Sequence, residues 1–302
     1  MAAIQRFDMQ KLPSPKSKRA TLAKRIRQRE FVTAPGVYDM VSTRIADSQD
    51  HPALYMTGYG TVASYLGVPD AGIASFRDMV SRAQTICQGS RTPLIADADT
   101  GYGGLLNVRE TVRGYEAAGV CVIQIEDQVF PKKCGHTPGR EVIAAEEMVK
   151  KIKVAVDARE DENFLIMART DAREAYGISE AISRAKKYRA AGADIIFVEA
   201  PESEEEFEMI GNEVDAPLLA NMVENGRSPI LSTETLVSLG FSVAIYPGAA
   251  LAVVAAALKE TYAHIKATGS TSGVTTPMMP ISELHVLMGF EDVWEFDKKW
   301  AD

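Results

Sequence analysis

The stretch IADADTGYGG carries Asp97 and Asp99 two residues apart, at the end of a run that otherwise reads as an apolar strand. On a strand that spacing sends both carboxylates to one face. Two carboxylates held close repel each other and raise a pKa unless a cation sits between them. Glu126, near the end of the next strand-like run CVIQIED, adds a third acid. Oxygen donors without neighbouring histidines suit a hard ion, most simply Mg2+, with Mn2+ as a substitute. Zinc fits poorly: His136 belongs to a different loop, and no second histidine is near it in sequence.

Cys134 stands in FPKKCGHTPGR (130–140), flanked by Lys132 and Lys133 before it and His136 after it. This loop rises from the strand that bears Glu126, so the thiol can swing over a bound ion, and Gly135 and Gly139 permit that movement. Lysines close to the thiol lower its pKa. A cysteine so placed donates a proton to a carbanion or enolate, or attacks a carbonyl; otherwise it is incidental to a surface loop. Cys87 and Cys121, on helix-like and strand-like segments, read as buried and inert. His136 either holds Glu199 or Asp171, or is an ordinary exposed histidine. Arg169, penultimate in FLIMART, either clamps a carboxylate in two-pronged fashion or pairs with Asp171. TGYG occurs at 57–60 and 100–103 and matches neither a phosphate loop nor a dinucleotide fingerprint. The first copy reads as a turn whose N–H groups can hold a carboxylate oxygen.

The elements that must position these residues alternate. Strand-like runs lie at 31–35, 53–57, 93–99, 121–127, 164–170, 194–200, 217–222 and 243–248, with amphipathic helix-like segments between several of them. Two of those segments end in AAG and one in SLG, where glycine takes a left-handed cap. Recurring strand and helix patterns indicate a parallel sheet with crossover helices, and eight units in this length match a closed α/β barrel of the (β/α)8 TIM type. A doubly wound open sheet is the competing arrangement. Thr57, Asp97, Asp99, Glu126, Asp127, Arg169, Asp171, Glu199 and Asn221 all fall at strand ends or just beyond. A barrel gathers such positions around one rim.

The chain has 302 residues, a net charge of -8 and no basic stripe, which argues against a nucleic-acid partner and leaves room for an anionic small molecule. The first residues lack an apolar core for a signal peptide. The apolar run VAIYPGAALAVVAAALKETY reads as a buried strand followed by a buried helix, not a membrane span. Three cysteines without a CxxC pair suit a reducing, cytoplasmic setting. Residues 1–267 form the expected barrel with an N-terminal extension running along its outside. Residues 268–302 form a Gly-, Ser-, Thr- and Pro-rich linker and a helical tail that needs an apolar surface to cover, with Trp294 and Trp300 as packing anchors.

The ordered set YMTGYG (55–60), LGVPD (66–70), DADTGYG (97–103), IEDQ (125–128), KKCGH (132–136), ARTDA (168–172), VEA (198–200) and LANMVE (219–224) resembles the isocitrate lyase/phosphoenolpyruvate mutase superfamily. Within it the chain is most similar to the short lyases that cleave 2,3-dimethylmalate and 2-methylisocitrate. The resemblance implies that Asp99 holds Mg2+ directly and Asp97 through water, with Glu126 and Asp70 supporting. It implies that Thr57, the backbone at Gly58 and Tyr59, and Arg169 grip a carboxylate, and that Cys134 protonates a nascent enolate. Tyr55, Glu199, Asn221 and Glu224 would orient substrate or water, with Lys133, Gly135 and His136 of the loop near it. Arg227 would meet a distal carboxylate. Oxaloacetate hydrolases of the superfamily place a serine where this chain has Pro247, which leans away from that reaction. The implied activity is retro-aldol cleavage of a 2-hydroxy di- or tricarboxylate: first an alkylmalate such as 2,3-dimethylmalate, then 2-methylisocitrate, then oxaloacetate hydrolysis or decarboxylation. A barrel that binds metal and carboxylate without turnover is the non-enzymatic alternative. The resemblance also implies a homotetramer, a dimer of dimers whose C-terminal helix is exchanged between neighbours; the sequence alone equally allows the tail to fold back on its own barrel.

Overall fold

The computed structural model describes residues 12–301. Eight parallel strands close into a barrel in chain order: β1 (Val32–Val37), β2 (Leu54–Met56), β3 (Leu94–Asp97), β4 (Val122–Glu126), β5 (Leu165–Thr170), β6 (Ile195–Val198), β7 (Leu218–Asn221) and β8 (Val243–Tyr246). The closing pair is β1 with β8, Val32 opposite Val243. Each expected strand is present; seven are trimmed by one to three residues where the apolar run outlasts the hydrogen-bonded ladder, and β1 starts one residue later and runs two residues further than expected. The open-sheet alternative is excluded by closure.

Helices form the outer ring: α2 (Met40–Asp47), α3 (Gly58–Leu66), α4 (Phe76–Gln88), α5 (Leu105–Ala117), α6 (Ala145–Ala158), α7 (Ala172–Ala190), α8 (Glu204–Glu213) and α9 (Thr233–Ser238), after an N-terminal α1 (Pro15–Arg27). Their starts follow local chemistry. Asp39 and Ser75 cap α2 and α4 in reciprocal capping boxes, and Ser203 and Ser232 cap α8 and α9. The AAG and SLG endings carry Gly119, Gly192 and Gly240 at φ of 97°, 108° and 86°, as those motifs require.

The inward face follows the two-residue period. Val32, Ile95, Val122, Leu165, Ile195, Leu219, Val243 and their partners fill the barrel interior in one buried cluster. Two residues further on, the inward positions become Asp97, Gln124 and Asn221; on β5 and β6, Met167 and Phe197 add one more apolar layer before Arg169 and, just past β6, Glu199. Apolar layers below and polar layers above therefore come from one alternation.

Two expectations need correction. The N-terminal extension does not simply run outside: α1 plugs the lower mouth, with Leu22, Ala23 and Ile26 in the interior cluster. Lys18 donates to Cys87 O at 3.0 Å and Arg19 Nε to Val120 O at 2.9 Å, so these basic residues are buried anchors. The rest of that extension, residues 1–11, lies outside the described residues. The apolar run after β8 does form a helix, α10 (Ala249–Thr268), but no residue of it is buried within one chain. Linker residues lead from it to α11 (Ile281–Met288) and α12 (Phe290–Trp300), where Trp294 and Trp300 stay exposed. Among the described residues no helix is long and apolar enough to cross a membrane.

Candidate active site

At the C-terminal rim a cavity of about 400 Å³ opens between the strand ends and the cysteine loop. Its polar side is formed by Tyr55, Thr57, Asp70, Asp97, Lys132 and Arg169, with Cys134, Gly135 and His136 of the loop closing over it. The opposite wall is apolar: Val223, Ile245, Pro247, Leu251, Ala252 and Ala255.

The acids converge, but not by the route that their spacing suggests. β3 stops at Asp97, and Asp99 lies past its end with φ at 48°, a left-handed conformation that aspartate tolerates better than most residues. The turn brings Asp99 N–H to Asp97 Oδ1 at 3.1 Å. Gln124, fully buried on β4, donates to the same Asp97 oxygen at 3.2 Å and accepts from the Tyr55 hydroxyl at 2.9 Å. Burial pushes the Asp97 carboxyl up and that of Glu126 well up; it pushes Asp99 up to about 6 against the opposing pull of Lys132.

Lys132 is the cation among them. Its Nζ stands 2.6 Å from Asp70 Oδ1 and 2.8 Å from Asp99 Oδ1, and the residue is 3 % exposed. Burial disfavours its charge, but Asp99, Asp97, Glu126 and Asp70 outweigh burial and hold the ammonium protonated. Glu126 Oε1 is buried with no hydrogen-bond donor. An all-oxygen, acceptor-rich pocket already visited by one positive charge fits a small hard cation by donor chemistry. Among the described residues, no three His, Cys, Asp or Glu side chains are grouped closely enough to hold an ion alone. Mg2+ asks for less, since it keeps several waters and takes one or two carboxylates.

Arg169, 7 % exposed, is ringed by acids: Nε and Nη2 donate to Asp171 Oδ2 and Oδ1 at 2.9 and 2.8 Å, and Nη1 lies 3.2 Å from Glu199 Oε2. Both readings of Arg169 meet here, since it pairs with Asp171 and also lines the cavity. His136 resolves in favour of Glu199, at 3.5 Å, and Asn221 Nδ2 lies 3.3 Å from its Nε2. Burial lowers its pKa. TGYG at 57–60 is a helix start and not a tight turn: Thr57 caps α3, and its hydroxyl accepts from Gly60 N at 3.4 Å. The free N–H groups of the first helical turn, at Gly58 and Tyr59, therefore stand at the cavity edge, where an N-terminus favours an anion.

The lysines do not activate the thiol. Burial raises the Cys134 pKa; its principal opposing influence is a hydrogen bond involving the His136 backbone, not Lys132 or Lys133. Lys132 is committed to the acids, and Lys133 Nζ donates to Gly139 O at 2.6 Å. The sulfur is accordingly a protonated thiol at neutral pH, better suited to giving a proton than to attacking a carbonyl.

A family profile described as phosphoenolpyruvate phosphomutase matches residues 22–266. The 2,3-dimethylmalate lyase of Eubacterium barkeri is 47% identical over 282 residues, covering 93% of this chain and 98% of that one. The chain belongs to the isocitrate lyase/phosphoenolpyruvate mutase superfamily. Another of its members, the 2-methylisocitrate lyase of Aeropyrum pernix, is 41% identical over 92% of this chain and 88% of its own. Among solved structures of the superfamily, oxaloacetate acetylhydrolase in complex with 3,3-difluorooxalacetate superposes with a TM-score of 0.89 at 37% identity, covering 95% and 98% of the two chains. Phosphonopyruvate hydrolase, crystallised with oxalate and Mg++, does so with 0.85 at 28% identity, covering 94% and 99%. The chain is a carbon–carbon lyase of this superfamily that acts on a short carboxylate.

Most residues that the sequence singles out meet at this cavity, but four do not line it. Asp99 and Glu126 sit behind the lining, 2.8 Å from Lys132 Nζ and 3.4 Å from Arg169 Nε. Glu224 is exposed, with Oε2 4.0 Å from where a Cβ on Gly248 would stand. Arg227 turns away to Glu174, 3.3 Å from its Nη2, and to Glu202, 3.8 Å from its Nη1. Gln124 escaped sequence reading although an inward-facing amide inside CVIQIED is a visible signal. Leu251, Ala252 and Ala255 carry no such signal, because an apolar helix gives no hint that its first turns wall a cavity.

Proposed function

We propose that the protein cleaves 2,3-dimethylmalate or a closely related alkylmalate to pyruvate and a propionate-like acid, with Mg2+ bound. The observation that carries this reading is the division of the cavity: acids, Arg169 and a protonated thiol at one end, and an uncharged apolar wall at the other. A malate with alkyl substituents matches that division, whereas a third carboxylate would need a cation on the apolar wall. Arg227, the sequence-based candidate for that cation, pairs with acids outside the cavity. The 47% identity to a 2,3-dimethylmalate lyase supports the same substrate.

Asp97 and Asp99 would hold the metal, with Glu126 and Asp70 behind them; when bound it supplies positive charge that lowers the pKa of a coordinated hydroxyl and steadies a developing oxyanion. The chain's own groups do the rest. Arg169 and the N–H groups of Gly58 and Tyr59, with the Thr57 hydroxyl, bind the carboxylate at C1 and fix the C2–C3 bond. A base takes the C2 hydroxyl proton as the C2–C3 bond breaks, leaving the C2 fragment as pyruvate and the electron pair on C3. That proton is the one returned to the thiol once C3 is protonated. Cys134 gives its proton to C3, forming the saturated acid, and regains one before the next turnover. His136, Asn221 and Glu199, linked by hydrogen bonds, hold the loop side of the cavity. The closed loop excludes water that would protonate C3 without control.

A second reading, 2-methylisocitrate cleavage, draws on Lys133, a loop cation that lines the cavity, and on the 41% identical relative. Oxaloacetate hydrolysis ranks below both because Pro247 supplies no hydroxyl there. We also read α10 to α12 as covering a neighbouring chain, within a homotetramer working in the cytoplasm.

The test is α-keto acid release against Mg2+ concentration for 2,3-dimethylmalate, other alkylmalates, 2-methylisocitrate and oxaloacetate. The expected result is pyruvate from the alkylmalates at the highest kcat/KM, and none without a divalent ion. Cys134→Ser is expected to keep Mg2+ binding by calorimetry while kcat falls by about 10²- to 10⁴-fold. Preference for 2-methylisocitrate installs the second reading, and full activity in Cys134→Ser removes the thiol from the reaction.

A further inference from the structure

Thr137, Pro138 and Gly139 are exposed, yet the residue that ends the cysteine loop, Arg140, is 4 % exposed. Burying a guanidinium is costly unless acids meet it. Two do: Nη1 donates to Asp171 Oδ1 at 2.7 Å, and Nε to Glu174 Oε2 at 2.6 Å. Asp171 is the same carboxylate that accepts from Arg169 at 2.8 and 2.9 Å. One anion therefore holds both the arginine on the cavity side and the arginine at the end of the loop.

That anion is not free to shift. The Asp171 N–H donates to Asp127 Oδ1 at 2.9 Å, and Asp127 Oδ2 accepts from the Thr170 and Tyr188 hydroxyls at 2.7 Å each. Outward, the charges alternate: Glu174 meets Arg227 at 3.3 Å, Arg227 meets Glu202 at 3.8 Å, and Glu202 meets Arg173 at 2.6 Å. In this series Arg140 is the member that belongs to the cysteine loop. The other end of the loop is held separately, where the Gln128 side chain brackets the Lys133 backbone with two 2.9 Å hydrogen bonds.

We propose that Arg140 is a positioning residue for both Cys134 and Arg169: through Asp171 it fastens the loop over the cavity and fixes the guanidinium beneath it. Loop closure and the orientation of Arg169 then become one event. With Arg140 gone, Asp171 keeps Arg169 alone, and the loop beyond His136 loses its buried anchor. The thiol would then spend more time away from the cavity. This rests on the reading of Cys134 as the proton donor, but its first measurement does not.

The experiment compares wild type, Arg140→Lys and Arg140→Met for the rate of Cys134 alkylation by iodoacetamide, read by peptide mass spectrometry, and for kcat and KM. Arg140→Met is expected to raise the alkylation rate at least about tenfold, as loss of a buried anchor shifts local opening. Its kcat is expected to fall more than its KM rises, and Arg140→Lys to recover part of both. Should Arg140→Met not fold, Glu174→Gln, at the more exposed side of the same anchor, is expected to speed alkylation by a smaller factor. Alkylation and kcat unchanged in a folded Arg140→Met, or in Glu174→Gln if that is the variant that folds, overturn the proposal. Alkylation is read on the protein alone, so a failure of wild type to cleave any carboxylate would remove the proposed reaction and its kcat arm while the anchoring of the cysteine loop by Arg140 is still decided by the alkylation rates.

Discussion

Asp99 is the residue where burial, charge and turn geometry meet. Its carboxyl is pushed up to about 6, above the 3.8 that it would have when unfolded. A carboxyl raised on folding contributes stability that is present below its unfolded value and lost as pH rises through its folded one. The metal-free protein is therefore predicted to lose stability from this group between about pH 4 and about pH 6, by on the order of 1–3 kcal/mol. A divalent ion binds the charged form, so added Mg2+ should give a thermal shift that grows across the same window. Asp171 and Glu174 act with the opposite sign: burial opposes but Arg169 and Arg140 hold the first below the ordinary range, and Arg140 leads the same effect on the second. Their contribution is lost only as pH falls below about 4. Thermal melts from pH 3 to 8 with and without Mg2+ check this; a Mg2+ shift that is flat with pH would refute it.

At the scale of elements, the cysteine loop and β5 are fitted to each other through a glycine. A Cβ on Gly135 would stand 2.4 Å from Arg169 Nη2 and 2.9 Å from Glu199 Cδ. Gly135→Ala is predicted to hold the loop off its seat and lower kcat by about a hundredfold, with the melting temperature changed little. Gly211→Ala is the contrast. Its Cβ would fall 1.8 Å from the Leu239 carbonyl oxygen, a backbone collision between α8 and the end of α9 that no side chain can relieve. That variant is predicted to lose about 3 kcal/mol or more of stability while its folded fraction keeps its kcat. Paired melts and kinetics separate the two; a reversed pattern would mean that the loop is not seated where the structure has it.

For the whole molecule, the instructive region is the C-terminal one. Val253, Val254, Leu258 and Tyr262 on α10, and Phe290, Val293, Trp294, Phe296 and Trp300 on α12, are all exposed in a single chain. So many large apolar side chains left exposed on two helices mark surfaces that a partner chain covers more often than they mark a monomer. Sedimentation at micromolar concentration is predicted to show a species larger than one chain, and removal of residues after Thr268 to shrink it. A monomer in both cases would mean that these faces are covered in some other way.

The amino-acid order alone determined the barrel, because a two-residue period repeated eight times with helical crossovers has few other ways to bury its apolar faces. It also placed Asp97, Glu126, Arg169, Glu199 and Asn221 on the rim, since they fall two or more positions beyond the last inward apolar residue of their strands. Tertiary structure decided what lies between strands that are distant in sequence. The Asp99 carboxylate reached Asp97 through a left-handed turn and not through strand alternation. Lys132 went to the acids instead of the thiol, and Arg227 left the cavity for Glu174. Local sequence announces which charges are present, but the partner that each one chooses depends on the distances left after closure, and buried charges settle where those distances are shortest.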